Sequence, residues 1–263
     1  MKKSLCLSLC SLFTITSYAA DTADLAKQLS NPVANMVSVP FQFNYDENIG
    51  ANESIERYQL NIQPVIPISL NEDWNLISRT VLPVVYQTYG DSSQYDDWGT
   101  GDTVQSLFLS PAEPGPGGII WGIGPAMLLP TASEKTLGAD QWGLGPTAVV
   151  LKQMNGWTFG ALANHIWAVE HKDNAEGVSS TFLQPFVSYT YPSSLTIALN
   201  SEATYDWNSE EATIPVNLMA TKIVNLNGQL ISVGGGVRYW ADDTTGSAKE
   251  WGGRLIASFI FPK

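Results

Sequence analysis

The chain has 263 residues and a formal net charge of −12, and only 14% of its residues are charged, against about 25% in ordinary soluble domains. The acidic balance argues against nucleic acid as a partner, because phosphate backbones attract basic surfaces. The scarcity of charge fits a protein whose outer surface faces lipid.

The first twenty residues are typical of a secretory signal peptide. Lys2 and Lys3 precede an apolar run, and Ser17-Tyr18-Ala19 offers a small-x-small cleavage site. Both cysteines lie inside this segment, so the exported chain has no thiol for a disulfide or a thiolate metal site. Removal of residues 1–20 leaves 11 of the 13 basic residues against 25 acidic ones, a net charge of −14.

Residues 21–36 do not alternate in polarity as a strand does. Leu25, Leu29 and Met36 suggest a short helix or an extended arm, broken near Pro32.

From residue 37 onward the chain is a succession of strand-like segments separated by turn signals. In the ninth, L-T-I-A-L-N-S-E-A-T-Y-D-W (195–207), odd positions are mostly apolar and even positions mostly polar. An extended strand with this pattern has one apolar and one polar face. About 9–11 residues suffice to cross a bilayer at a tilt. We predict twelve strands, at approximately 37–45, 55–68, 75–87, 102–110, 119–129, 141–152, 157–167, 180–190, 195–206, 213–222, 230–240 and 250–261.

The arrangement of these segments predicts a membrane barrel. No apolar run after the signal is long enough for a transmembrane helix, which needs about 20 residues. An even number of strands, joined alternately by tight turns and by longer acidic loops, is typical of bacterial barrels. We therefore predict that residues 37–263 form an all-β, transmembrane antiparallel β-barrel of twelve strands in the bacterial outer membrane. Residues 21–36 would be a periplasmic arm or a plug of the lumen. The alternative is a soluble secreted sandwich, which also uses alternating strands.

Aromatic residues fall at both ends of the predicted strands, where amphipathic rings prefer the membrane interfaces. A sandwich does not explain two such belts. The turn-side rings are Trp74, Trp121, Trp157, Tyr191 and Phe261, and the loop-side rings are Tyr45, Tyr86, Trp142, Trp167, Trp207, Tyr239 and Trp251.

Prolines fall within several predicted strands, where each removes a backbone donor and is expected at an edge or a bulge. Two interpretations stay open: the strands are misplaced, or the wall is locally kinked. A kinked wall could open sideways into the bilayer. The prolines are Pro40, Pro64, Pro67, Pro83, Pro125, Pro146, Pro185 and Pro215.

Glycines alternate with large residues in the pair W-G-I-G-P (121–125) and W-G-L-G-P (142–146). Neither continues as a dinucleotide or P-loop fingerprint. If the large residues face lipid, the glycines face inward and widen the lumen. The predicted lumen-widening glycines are Gly122, Gly124, Gly143, Gly145, Gly234 and Gly236.

Charged residues from separate strands point into the lumen by the same alternation. They form either an ion-pair network that fills a narrow interior or an electrostatic constriction that selects what passes. The predicted lumen-lining charges are Arg57, Arg79, Glu202, Asp206, Arg238 and Arg254.

Few residues could serve histidine-based catalysis, because the exported chain contains only two histidines, His165 and His171. Outer-membrane phospholipases need His and Ser two residues apart on a strand, whereas Trp167 stands two residues after His165. We predict no catalytic residue, no cofactor and no metal site. Acidic pairs such as Asp96-Asp97 lack the ligand spacing of a recognised calcium loop.

Six stretches together resemble the bacterial outer-membrane family catalogued under the meta-pathway of phenol degradation, whose members are often labelled transporter-like or neuromedin U. The resemblance covers nearly the whole exported chain. It implies a β-barrel of Gram-negative outer membranes with a role in uptake of aromatic or other hydrophobic compounds, and it brings no catalytic or binding residues. The stretches are L-N-I-Q-P-V-I-P-I-S-L (60–70), D-W-N-L-I-S-R-T-V-L-P-V (73–84), G-D-T-V-Q-S (101–106), G-P-T-A-V-V-L-K-Q (145–153), G-A-L-A-N-H-I-W (160–167) and I-P-V-N-L (214–218).

The predicted function is that of a passive channel or transport protein for small molecules, hydrophobic or aromatic ones among them. One alternative is a non-conducting structural or surface-binding barrel whose acidic loops interact with lipopolysaccharide-bridging cations. The other is a membrane-embedded hydrolase. The expected partners are outer-membrane lipid, lipopolysaccharide and a small-molecule substrate of unknown identity.

Overall fold

The computed structural model describes residues 22–50, 52–90, 96–169, 177–242, 244 and 248–262. The predicted signal peptide and His171 lie outside this part of the chain. Within it, no helix is both long and apolar enough to cross a membrane.

Twelve antiparallel strands of the described residues form one closed sheet, in which each strand pairs with the next and β12 returns to β1. The closing pair runs from Val37 opposite Phe261 to Tyr45 opposite Gly253. This confirms the predicted all-β barrel. The strands are β1 (Val37–Ile49), β2 (Ile55–Ile62 and Val65–Ser69), β3 (Trp74–Tyr89), β4 (Asp97–Thr100 and Thr103–Pro111), β5 (Ile119–Leu129), β6 (Gly143–Met154), β7 (Trp157–Ala168), β8 (Ser179–Thr190), β9 (Leu195–Ser201 and Ala203–Asp206), β10 (Glu211–Thr213 and Pro215–Leu226), β11 (Gln229–Trp240) and β12 (Glu250–Phe261).

The wall has a polar inner face and an apolar outer face. On β9, Ile197 and Leu199 are 42% and 44% exposed, whereas Thr196, on the opposite face of the strand, is only 6% exposed. On β1, the alternate residues Gln42 and Asn44 are buried inside the ring. An apolar exterior around a polar interior is the arrangement that lipid requires of a barrel wall.

Aromatic rings contact one another at both ends of the wall. At the turn side, the ring centroids of Trp74 and Trp121 lie 6.0 Å apart. At the loop side, those of Tyr239 and Trp251 lie 5.0 Å apart. Edge and tilted contacts of this kind stabilise neighbouring rings beyond their burial.

The first strand continues beyond its predicted end at residue 45 and reaches Ile49. Asp46 therefore lies opposite Arg57 in the wall and is 4% exposed. The predicted strand end at residue 45, which leaves Asp46 in the following acidic loop, is wrong, because the polar lumen can hold a carboxylate that has donors around it. A bulge between Asp46 and Ile49 ends the regular pairing.

Each interruption within a strand lies beside a proline. β2 breaks at Gln63-Pro64, where the Gln63 N–H donates to the Pro40 carbonyl at 2.8 Å. β4 breaks near Gly101, whose N–H donates to the Pro83 carbonyl at 2.9 Å. Pro64, Pro83 and Pro215 therefore lie at local breaks, at which neighbouring N–H groups find acceptors. Other prolines lie within continuous strands: Pro67, Pro125, Pro146 and Pro185.

The break in β9 leaves the strand register unchanged. Ser201 lies opposite Val216 before the break and Thr204 opposite Thr213 after it. The Glu202 N–H donates to the Pro215 carbonyl at 3.2 Å. Because the register is kept, the alternation of inward and outward side chains continues to the outer end of the strand.

Residues 22–36 lie inside the barrel at its turn end. Residues 22–29 are helical and residues 30–36 lead into β1. Gln153 at the end of β6 donates its side-chain N–H to the Lys27 carbonyl at 2.8 Å. Two apolar clusters bury the segment: Val33 with Ile77, Phe108, Val149, Leu151 and Leu162, and Ala26, Ala34 and Met36 with Ile223 and Ile260.

Candidate functional site

The lumen contains an outer cavity of about 450 Å³. Its larger apolar lining residues come from β3, β4, β5, β7 and β8: Val81, Val104, Leu128, Ile166 and Phe182. Polar residues line it mainly from β1, β2, β3 and β9, and further polar residues alternate with the apolar ones on β7 and β8: Gln42, Asn61, Gln63, Arg79, Asn164, Ser180, Gln184, Glu202 and Thr204. Cavities of this size that combine apolar side chains with placed polar groups are typical of small-molecule sites.

An inner cavity of about 230 Å³ lies between segment 22–36 and the wall. Gln63, Arg79 and Gln184 line both cavities. These three side chains therefore stand where the outer cavity meets the inner one.

The strongest polar contact of the lumen joins β12 to β9. Arg254 donates to both carboxylate oxygens of Glu202, at 2.9 and 2.8 Å, and its Nε–H donates to Asn44 Oδ1 at 2.7 Å. Arg254 is 2% exposed. A bidentate guanidinium–carboxylate pair is a strong, geometrically specific contact, and here it bridges strands that do not pair in the wall.

A second charged group joins β11 to β1. Arg238 Nε lies 3.4 Å from Asp46 Oδ1, and the guanidinium carbon stands 4.6 Å from the centre of the Trp240 ring. The indole N–H of Trp240 donates to the same Asp46 oxygen at 2.9 Å. Asp46 thus receives both the positive charge and a neutral donor.

The remaining two predicted arginines bind amides instead of carboxylates. Arg57 Nε–H donates to Gln87 Oε1 at 2.7 Å. Arg79 donates one N–H to Gln63 Oε1 at 3.2 Å. Of these two, only Arg79 lines the cavities.

Asp206 lines the outer cavity, but its carboxylate accepts hydrogen bonds from the backbone of the outer turn that follows it. Its Oδ1 accepts the backbone N–H groups of Asn208 at 2.8 Å and Ser209 at 3.1 Å. Asp102 has a comparable place, since it accepts the N–H groups of Ala132 and Ala139 at 3.1 and 2.6 Å. Both carboxylates fold outer loops onto the rim of the cavity.

The six predicted glycines stand where a side chain would meet neighbouring atoms. An added Cβ at Gly122 would lie 3.3 Å from Val33 of the inserted segment, and one at Gly143 would meet Ile166. At Gly124, Gly145, Gly234 and Gly236 the added Cβ would meet a backbone oxygen of the adjacent strand: those of Leu107, His165, Ala220 and Leu218. Their part in widening the lumen stays a prediction, and close strand approach is a further reason for glycine.

The prediction of lumen-lining charges does not include several side chains that bind the lumen arginines. Asp46, Asn44 and Gln63 hold three of the four lumen arginines. The signal for the first two lay in β1, where Gln42, Asn44 and Asp46 alternate with aromatic residues. Gln63 precedes a strand break, so alternation alone does not point to it.

His165 lies on the outer, lipid-facing side of β7, beside Trp167 at 4.0 Å between ring centres. Its Nδ1 is 2.7 Å from Thr181 Oγ1, which also accepts the indole N–H of Trp207 at 2.8 Å. The imidazole is therefore part of the loop-side aromatic belt.

No protein-family model matches the chain, and no curated protein matches it. The fold is similar to the crystal structure of an outer membrane channel from Pseudomonas putida F1, with a TM-score of 0.66, 15% identity, and coverage of 86% of this chain and 96% of that chain. The NanC porin has a TM-score of 0.49 and 11% identity, with 86% and 100% of the two chains covered. Outer membrane phospholipase A from Escherichia coli has a TM-score of 0.48 and 11% identity, with 93% and 98% covered. At these identities the first likeness shows a common fold alone, that of an outer-membrane β-barrel, and the other two are too distant to carry an argument.

Proposed function

We propose that this chain is a bacterial outer-membrane barrel through which small molecules pass by passive diffusion. The observation that carries the proposal is a closed wall around two adjoining cavities, which meet at Gln63, Arg79 and Gln184. The apolar exterior suits outer-membrane lipid, and the acidic loops suit a surface rich in lipopolysaccharide and its bridging cations.

The favoured cargo is a small compound with an apolar body. Val81, Leu128 and Phe182 give the outer cavity an apolar side that a sugar or an ion would not need. The resemblance to the family of the phenol meta-pathway points in the same direction, towards aromatic or other hydrophobic compounds.

Segment 22–36 restricts the path at its turn end. Val33 and Ala34 are 5% and 6% exposed inside the ring, so the segment fills space that would otherwise be open. In this proposal the path runs alongside the segment through the inner cavity. Passage is therefore confined to small molecules while the segment is in place.

Single-channel recording in planar bilayers tests the proposal. We expect small, discrete conductance steps from the intact protein, and steps several-fold larger from a chain that lacks residues 22–36, because the inner end then opens. Swelling of liposomes in small neutral solutes gives a second readout of flux.

Silence of both proteins in both assays would contradict a channel and would favour the non-conducting barrel. That alternative rests on the filled interior, in which Arg254 and Glu202 bridge β12 and β9, two strands that do not pair in the wall. A membrane-embedded hydrolase is less favoured, because the hydroxyl nearest to His165 belongs to Thr181 and is shared with Trp207. Ester turnover that disappears in His165→Ala would revive it.

A further inference from the structure

We propose that the outer cavity binds an anionic molecule with an apolar body, a small aromatic or aliphatic carboxylate, and that Arg79 holds its anionic group. This inference rests on the proposed function and assigns a substrate class to the same lumen. It starts from the one arginine that reaches both cavities.

Arg79 is the guanidinium of the cavities with donors to spare. A guanidinium carries five N–H donors, and the contacts of Arg79 within the described residues use one of them, to the neutral Gln63 amide at 3.2 Å. The ion pairs of the described residues join Arg238 to Asp46, Arg254 to Glu202 and Lys249 to Glu53. Within this part of the chain, Arg79 therefore has no carboxylate at ion-pair distance.

Glu202 is the acidic group that could compete for Arg79, since it also lines the outer cavity. Both of its oxygens are already bound by Arg254, at 2.9 and 2.8 Å. Its negative charge is thus shared with a fully buried partner, and the fork of Arg79 stays available for a bidentate contact to an incoming carboxylate.

The other carboxylates of the cavity stand at its rim, far from Arg79. Arg79 lies opposite Ser106 on β4, whereas Asp102 lies four residues further toward the outer end. At about 3.3 Å per residue this is about 13 Å along the strand. Asp102 and Asp206 are also tied to backbone N–H groups of the outer loops. The inner end of the cavity, at which Arg79 lies, is therefore its positive end.

The wall around this inner end determines which ligand body fits the cavity. Val104, Ile166 and Phe182 offer apolar contact, and Asn61 and Gln184 offer amides to a polar substituent. A volume of about 450 Å³ accommodates a single aromatic ring with substituents. A hydrated inorganic anion would satisfy Arg79 but would leave the apolar side empty.

Three probes of one shape test the charge preference: benzoate, benzyl alcohol and benzylammonium. Binding of each to the full barrel in detergent micelles is measured by isothermal titration calorimetry. We expect benzoate to bind at least tenfold more tightly than either of the other two, a difference of about 1.4 kcal/mol. Equal affinities for the three probes would overturn the proposal, and this comparison needs no substitution.

Matched variants locate the effect. Arg79→Gln should lower the affinity for benzoate to that for benzyl alcohol, whereas Arg57→Gln removes the same charge from a lumen arginine outside the cavities and should leave benzoate binding unchanged. Heat-modifiable electrophoretic mobility verifies that each variant has folded. Equal losses in Arg57→Gln and Arg79→Gln, or no loss in either, would refute the role of Arg79.

The binding assay is independent of conduction. A barrel that conducts but binds the three probes equally keeps the proposed function and loses this inference. A barrel that binds benzoate through Arg79 but passes no current or solute keeps the site and loses the channel.

Discussion

At the scale of single residues, two ion pairs of the same chemistry have very different surroundings. Arg254 and Glu202 meet in the lumen, with side-chain exposures of 0% and 19%. Lys249 and Glu53 meet near the outer loops at 2.8 Å, with side-chain exposures of 35% and 52%. Removing one partner of a buried pair leaves an uncompensated charge, whereas an exposed pair is replaced by water at little cost.

This difference predicts unequal effects of removing each carboxylate. Glu202→Gln should lower the free energy of unfolding by about 3–5 kcal/mol, because Arg254 stays buried without a counter-charge. Glu53→Gln should lower it by less than about 1 kcal/mol. Urea unfolding followed by tryptophan fluorescence measures both. Similar losses in the two variants would mean that the lumen is wet enough to solvate Arg254.

The inward direction of Glu202 and Arg254 could be predicted from alternation, but their contact could not. They lie on β9 and β12, which do not pair, so their contact depends on the stagger of the strands around the ring. Asp46 could have been predicted as well, because it continues the polar series of Gln42 and Asn44. The predicted strand ends just before it, because an acidic residue beside Glu47 and a turn is also typical of a loop.

At the scale of elements, glycines let neighbouring strands approach closely. Gly236 on β11 faces β10, and a Cβ there would lie 2.8 Å from the Met219 Cα besides meeting the Leu218 oxygen. Gly253 on β12 faces the outside, and a Cβ there would meet nothing within 4 Å. The two glycines occupy successive positions of the β11–β12 pair, Gly236 opposite Arg254 and Gly253 opposite Val237, so they form a matched test.

Alanine at these two positions should have opposite consequences. Gly236→Ala should destabilise the barrel by about 1–3 kcal/mol, because backbone must move to admit the methyl group. Gly253→Ala should be neutral or stabilising by up to about 1 kcal/mol, since it only restricts the unfolded chain. Equilibrium unfolding in urea measures the change. A tolerated Gly236→Ala would show that the β10–β11 pair is looser than its geometry indicates.

The strands themselves could be predicted well, since a period of two survives proline. Pro64 and Pro215 interrupt pairing locally but leave the register unchanged, so the alternation on either side stays in phase. The position of segment 22–36 could not be predicted. Leu25, Leu29 and Met36 indicate an apolar helix face, but an arm and a plug would show the same pattern, and only the barrel wall decides between them.

At the scale of the whole molecule, the barrel depends on the pairing of β12 with β1. Nine residues of β1 lie opposite β12, from Val37 to Tyr45. Without that pair, both β1 and β12 would present unpaired N–H and C=O groups to lipid, where each costs several kcal/mol. The barrel is therefore stable in lipid only when it is closed.

A chain that lacks Glu250–Phe261 should accordingly fail to form a barrel. We expect no compact, heat-modifiable band on semi-native electrophoresis and rapid cleavage by added protease. A chain that lacks residues 22–36 is the control, because it keeps all twelve strands and should give the compact band. A compact band from the chain without β12 would show that another pair can seal the ring.

The inserted segment also ties the filling of the barrel to its closure. Ile260 of β12 supplies part of the surface against which Ala26 and Met36 pack, and Met36 directly precedes β1. The surface on which the segment packs is therefore incomplete until β12 has paired with β1. During biogenesis, pairing of β12 with β1 would therefore complete the docking of the segment, which before that step has only the Val33 cluster on β3, β4, β6 and β7 to hold it.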